Sequence, residues 1–156
     1  MSASSLQREI KQNKPFRSPE HEAWLSILRT ADQLKRGAQH YFETVDLTEQ
    51  QYNVLRILRG AGEPGLPTLA IAERLIEHTP GITRLIDRLE AKGLVRRERP
   101  DCDRRQVYCF LTKSGATLLA SLDDTVDAQT TGAFARLSKT ELKTLIAILE
   151  KVRNQS

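Results

Sequence analysis

Between Ala72 and Thr112 the chain strings together a short helix, a glycine stop, an arginine-bearing strand, a charged turn and an alternating return strand, an order that leaves little choice of fold. The helix runs through Ile82-Thr83-Arg84-Leu85-Ile86-Asp87-Arg88-Leu89-Glu90-Ala91. It reads as capped by Thr79, with Pro80 where proline costs no helix hydrogen bond and Thr83, Arg84 and Arg88 displayed outward. Gly93 stands where a helix stop needs a left-handed residue. Leu94 to Arg99 and Gln106 to Leu111 then read as two strands around the turn Asp101-Cys102-Asp103-Arg104-Arg105. Val107, Cys109 and Leu111 alternate onto one face, as a half-buried strand requires. A second short helix, Thr68 to Leu75, precedes the displayed one. Two close helices and an arginine-tipped hairpin predict a winged helix-turn-helix.

The rest of the chain is helical by periodicity. Met1 to Arg17 lacks an apolar repeat and reads as a flexible or docking arm. Ser18-Pro19-Glu20 combines a capping serine, proline at the first helical position and an acid at the positive helix end. Trp24, Ile27, Leu28, Ala31, Leu34, Ala38 and Tyr41 follow at helical spacing, predicting a long helix to about Val45. Thr48 and Gln51 form a capping box before the next helix, and Ser138 and Glu141 form another. Thr112-Lys113-Ser114-Gly115 opens a helix between them, and Leu66-Pro67 is expected to pair with the hairpin. The expected fold is mostly α with a two- to three-stranded β wing. Its expected parts are an arm (1–17), a dimerisation helix (18–46), a winged helix-turn-helix lobe (47–111) and C-terminal dimerisation helices (112–156). The long apolar stripes of the first and last helices call for a second copy of the chain.

Charge placement narrows the function. A net charge of +4 over 156 residues says little. From Arg84 to Arg105, however, eight Lys/Arg face five Asp/Glu, a basic concentration suited to nucleic acid. No run approaches the roughly 20 apolar residues of a membrane helix, and the N-terminus has no signal-peptide hydrophobic region, so a cytoplasmic location is expected. Cys102 and Cys109 do not suggest a disulfide framework. His21, His40 and His78 are scattered without metal-ligand spacing, so neither metal nor cofactor is expected. There is no phosphate-cradling loop or nucleophile motif, and no enzyme activity is expected.

The segment Ile82 to Val95, continued by Arg99-Pro100-Asp101-Cys102-Asp103-Arg104-Arg105 and Leu111-Thr112-Lys113-Ser114-Gly115, resembles the MarR family of transcriptional regulators. The family's wing pattern is aspartate, any residue, arginine, then five residues before Leu-Thr; Asp103, Arg105 and Leu111-Thr112 match it. The resemblance covers about Glu20 to Val152. It implies a homodimer on pseudo-palindromic double-stranded DNA that often represses transcription. It also implies release on binding a small aromatic or lipophilic effector, an oxidant or a metal. Relatives that sense peroxide carry a reactive cysteine in the first helix region; this chain has no cysteine before Cys102, whose two flanking aspartates disfavour thiolate.

The residues assign themselves roles on such a duplex. Thr79, Pro80 and Gly81 would bring the positive end of the helix to phosphate. Thr83 and Arg84 would meet base edges, since arginine donates in pairs to guanine and a threonine methyl packs on thymine. Arg97, Arg99 and Arg104 would follow phosphates, affecting affinity more than sequence preference, and Arg88 would meet phosphate or pair with neighbouring acids. Arg105 would enter a narrow minor groove, steadied by Asp103. Trp24, Leu28, Tyr41, Tyr52 and Leu55 are candidates to line an effector crevice, or simply core. One other reading stays open at this point: a winged helix serving as a protein-docking or non-specific DNA-binding module.

Overall fold

The computed structural model describes residues 4–100 and 105–154. Among these, seven helices and three strands follow in the order α1 (Ser5–Glu9), α2 (Pro19–Glu43), α3 (Glu49–Ala61), β1 (Leu66–Pro67), α4 (Thr68–Arg74), α5 (Ile82–Ala91), β2 (Val95–Glu98), β3 (Tyr108–Leu111), α6 (Lys113–Ala133) and α7 (Lys139–Arg153). The fold is mostly helical with a small antiparallel sheet, as expected. No described helix is long and apolar enough to cross a membrane.

The chain divides into two units, Met1–Val45 and Asp46–Ser156. In the first, Ser18 accepts a hydrogen bond from the His21 amide and starts α2. The arm expected over residues 1–17 is not featureless. Ser4 caps α1 through the Gln7 amide, the Ser5 hydroxyl reaches Glu9, and Leu6 is buried. Five residues are too few to show a periodicity, which is why the sequence pattern missed this turn and a half of helix.

In the second unit both expected capping boxes form. The Thr48 hydroxyl accepts from the Gln51 amide at 3.1 Å while the Gln51 side chain accepts from the Thr48 amide at 3.0 Å. Ser138 and Glu141 make the same reciprocal pair at the start of α7. Such a cap satisfies two helix-end donors that would otherwise need water. Thr48→Ala is expected to lower stability by about 1 kcal/mol, read as a lower urea midpoint with an unchanged denaturant slope; an unmoved midpoint would show the cap to be redundant.

The core lies between α3, α4, α5, α6 and the sheet. Val54, Leu55, Leu58, Ile71, Ile86, Leu89, Val95, Cys109 and Leu119 are all nearly or fully inaccessible. The sheet order is β1-β3-β2, with Leu66 opposite Cys109 and Val95 opposite Leu111. Helix α6 packs on α3, where Arg59 donates to both carboxylate oxygens of Asp123 at 2.9 Å. The last helix is different: none of the residues of α7 is buried, and Ile146, Ile148 and Val152 are exposed.

Candidate nucleic-acid interface

Helix α5 is two-faced because its apolar residues recur at helical spacing. Leu85, Ile86 and Leu89 point into the core, while Thr83, Arg84, Asp87 and Arg88 are exposed. The buried face fixes the helix against α3 and α4, so the exposed side chains stand on a rigid support. Among the described residues, neither Arg84 nor Arg88 has a carboxylate within ion-pair distance.

The start of this helix departs from the sequence reading. Thr79 is not the cap: its hydroxyl donates to the Glu77 carbonyl at 3.1 Å and closes a turn before the helix. Gly81 takes the capping position with φ 90°, a left-handed geometry that a side chain would strain. No side chain caps the first turn of α5. Its orphan N–H groups are therefore left to outside acceptors, and the helix dipole there favours an anion. Pro80 and Gly81 are both exposed, leaving room for close backbone approach.

The helix ends as the sequence required. The Gly93 amide donates to the Glu90 carbonyl at 2.8 Å and the Leu94 amide to the Leu89 carbonyl at 3.0 Å, with Gly93 at φ 69°. This paired closure turns the chain directly into β2. Lys92 then reaches back to Asp46, Nζ to Oδ2 at 3.0 Å.

On β2 the arginines divide. Arg96 lies over the Phe110 ring at 4.2 Å and pairs with Glu98. Arg97 turns toward α5: its Nε donates to Glu90 Oε2 at 2.8 Å, its Nη2 to the same oxygen at 2.5 Å, and its Nη1 meets Asp87 Oδ1 at 2.7 Å. The backbone amide of Arg97 also donates to Glu90 Oε1 at 3.1 Å. The Arg97 guanidinium holds the Glu90 carboxyl below the usual carboxylate range, against a smaller opposing effect of desolvation. Glu90 is thus ionised at neutral pH, and this contact weakens only as pH falls through that lowered value. Two carboxylates on α5 thus meet the charge of Arg97, a pairing that the expectation of a phosphate contact did not include.

Arg99 and Arg105 are exposed on either side of the wing tip. Asp101, Cys102, Asp103 and Arg104 lie outside the described residues, and with them the expected Asp103–Arg105 pairing. Cys109 is fully buried on β3, and burial pushes its thiol pKa up, against a smaller lowering effect from Thr68. It is a packing residue, as its alternation with Val107 and Leu111 indicated.

The expected effector residues fall in both units. Trp24 and Leu28 are exposed on α2, and Tyr41 is half-buried with its ring 4.8 Å from that of Phe42. In the second unit Tyr52 is half-buried, and burial raises its hydroxyl pKa. Leu55 has no accessible surface at all, so it belongs to the core and offers nothing to a ligand. Its place in a helical stripe fitted either role, and packing decided it. No group of His, Cys, Asp and Glu able to hold a metal occurs among the described residues.

Comparison with known proteins agrees with this geometry. Residues 47–107 match the model of the MarR family. The chain is 32% identical over 120 residues to the transcriptional regulator HosA of Escherichia coli, covering 75% of this chain and 85% of that protein. Among solved structures it is similar to a MarR transcription factor from Planctomyces limnophilus, at 41% identity and TM-score 0.67, over 87% of this chain and 98% of that one. It is also similar to a mutant of MarR from Escherichia coli complexed with operator DNA, at 26% identity and TM-score 0.77, over 96% and 99% of the two chains. With its two-faced α5, its wing and these relatives, the chain belongs to the MarR family of DNA-binding transcriptional regulators.

Proposed function

We propose that this chain is a repressor that binds a pseudo-palindromic operator as a homodimer and leaves it when a small aromatic or lipophilic effector binds. The observation that carries the reading is the exposed face of α5, where Thr83, Arg84 and Arg88 stand opposite a locked apolar face. In a major groove, Thr83 and Arg84 meet base edges and Arg88 meets phosphate. The uncapped first turn, reached over Pro80 and Gly81, takes a phosphate. Thr79 acts one step back, by closing the turn that presents them. Arg105 carries the wing's positive charge into the neighbouring minor groove, and Arg99 and Arg104 follow phosphates beside it under the same proposal.

The dimer is supported by helices that leave apolar side chains exposed. Helix α7 buries no residue, although Leu142, Leu145, Ile146, Leu149 and Val152 recur along it. Trp24, Ile27, Leu28 and Leu34 are exposed along α2. Surface of this kind is ordinarily covered by a partner. The effector reading is supported by aromatic and apolar side chains left accessible within each unit, Trp24, Leu28 and Tyr41 in the first and Tyr52 in the second, surfaces of the kind a planar ligand uses.

The test is selection of bound duplexes from a random pool at ~150 mM salt, followed by titration of the selected site against salt. The expected result is an inverted repeat with half-sites ~10 bp apart and an affinity that falls steeply as salt rises. Retention without sequence enrichment would make the chain a non-specific DNA binder. Failure to retain DNA in the effector-free protein would overturn the proposal in favour of a docking module.

A further inference from the structure

We propose that Arg97, clamped by Glu90 and Asp87, is a positioning residue that sets the angle of the wing against helix α5. The proposal rests on the DNA-reading function above and adds to it a residue set that touches no DNA. A protein that reads a major groove with a helix and a minor groove with a wing must hold the two at one spacing and one angle. In this chain the covalent link between them is the tight turn after Ala91, and the clamp adds a polar side-chain tie to the apolar packing of α5 on β2.

Its geometry is specific. One carboxylate, Glu90, accepts from both the main chain and the side chain of the same strand residue: the Arg97 amide at 3.1 Å, Nε at 2.8 Å and Nη2 at 2.5 Å. Asp87, one helical turn earlier, takes the remaining Nη1 at 2.7 Å. Two anchors on a helix and two on a strand fix orientation as well as distance, which a point contact does not. The tie continues across the sheet. Arg97 is paired with Cys109 on β3, whose sulfur lies 3.7 Å from the Thr68 hydroxyl at the start of α4. The Thr68 amide in turn donates to the Val107 carbonyl at 3.1 Å. Both helices of the helix-turn-helix therefore hold the wing, α5 through β2 and α4 through β3. The side chains of Arg97 and Glu90 are 29% and 36% exposed, so the pair adds little to global stability. Its consequence is where the wing points.

The clamp makes a prediction of unusual sign. Removing an acidic charge from a surface that meets DNA ordinarily strengthens binding, because repulsion from phosphate is lost. Glu90→Gln is expected to do the opposite and weaken binding to the selected duplex by about 3- to 30-fold, a loss that falls within the range of coupling seen between contacting groups. Arg97→Gln should weaken it similarly while leaving the salt dependence unchanged, since the guanidinium neutralises no phosphate. The double variant should bind no worse than Arg97→Gln alone. Asp87→Asn, weakening only one anchor, should give a smaller loss. Circular dichroism and thermal unfolding on each variant verify that the fold is retained, and Asp87→Asn carries the test if Glu90→Gln does not fold. Equal or tighter binding by the carboxamide variants, or a salt slope reduced by about one in Arg97→Gln, would overturn the clamp and make Arg97 a phosphate contact. If the unaltered chain bound no duplex, the DNA-reading function itself would fall, and the clamp's role with it.

Discussion

Arg84→Ala is expected to lower affinity for the selected operator by about 10- to 100-fold, the loss of one paired contact to a base edge. The cause is local: Arg84 is exposed near the start of α5, has no carboxylate partner among the described residues, and lies beside buried Leu85 and Ile86, which hold the helix. Losing an exposed, unpaired side chain leaves stability within about 0.5 kcal/mol. A large binding loss with an unmoved melting temperature is therefore the signature. Binding to duplexes altered one base pair at a time sharpens the result, because the variant should lose discrimination at one position in each half-site and keep it elsewhere. Arg105→Ala should behave differently, weakening all duplexes together and lowering the salt slope, as a wing charge in a minor groove would. If Arg84→Ala kept full operator affinity, α5 would not read the major groove through this residue.

Signals local to a few residues were the ones legible in the sequence. Ser18, Thr48, Thr112 and Ser138 each cap the helix assigned to them, because a hydroxyl placed before an apolar repeat has one good acceptor role. Gly93 stops α5 for the same kind of reason. The start of α5 was misread by the same logic. Thr79 is a plausible cap in isolation, but the Pro80-Gly81 pair that follows makes a turn first, and the helix begins only at Ile82. The partners of Arg97 were hidden for a different reason. The carboxylates that claim it lie on the preceding helix, seven and ten residues back, and become neighbours only once Gly93 reverses the chain. Helical or strand periodicity does not carry that information. Leu55 shows the same limit, since a stripe position does not say whether the surface it meets is core or ligand.

Leu89→Ala is expected to remove about 2–5 kcal/mol of stability, the usual cost of emptying a fully buried leucine site. Leu89 has no accessible surface, sits beside fully buried Ile86 on α5, and faces the core shared with Val54, Leu55 and Leu58 of α3. Its carbonyl also accepts the Leu94 amide that closes the helix. A cavity there loosens the support of the recognition face and the turn into the wing at once. Against a total stability of roughly 5–15 kcal/mol, the loss should lower the melting temperature by on the order of 10 °C. The measurement is thermal unfolding followed by circular dichroism at one fixed protein concentration, because a dimer's transition shifts with concentration. Operator binding well below the new transition should fall far less than it does for Arg84→Ala, since the reading side chains are intact in the molecules that remain folded. A melting temperature moved by less than about 2 °C would mean that the core collapses onto the vacated volume, and that α5 is held chiefly by its ties to the wing and to Asp46 through Lys92.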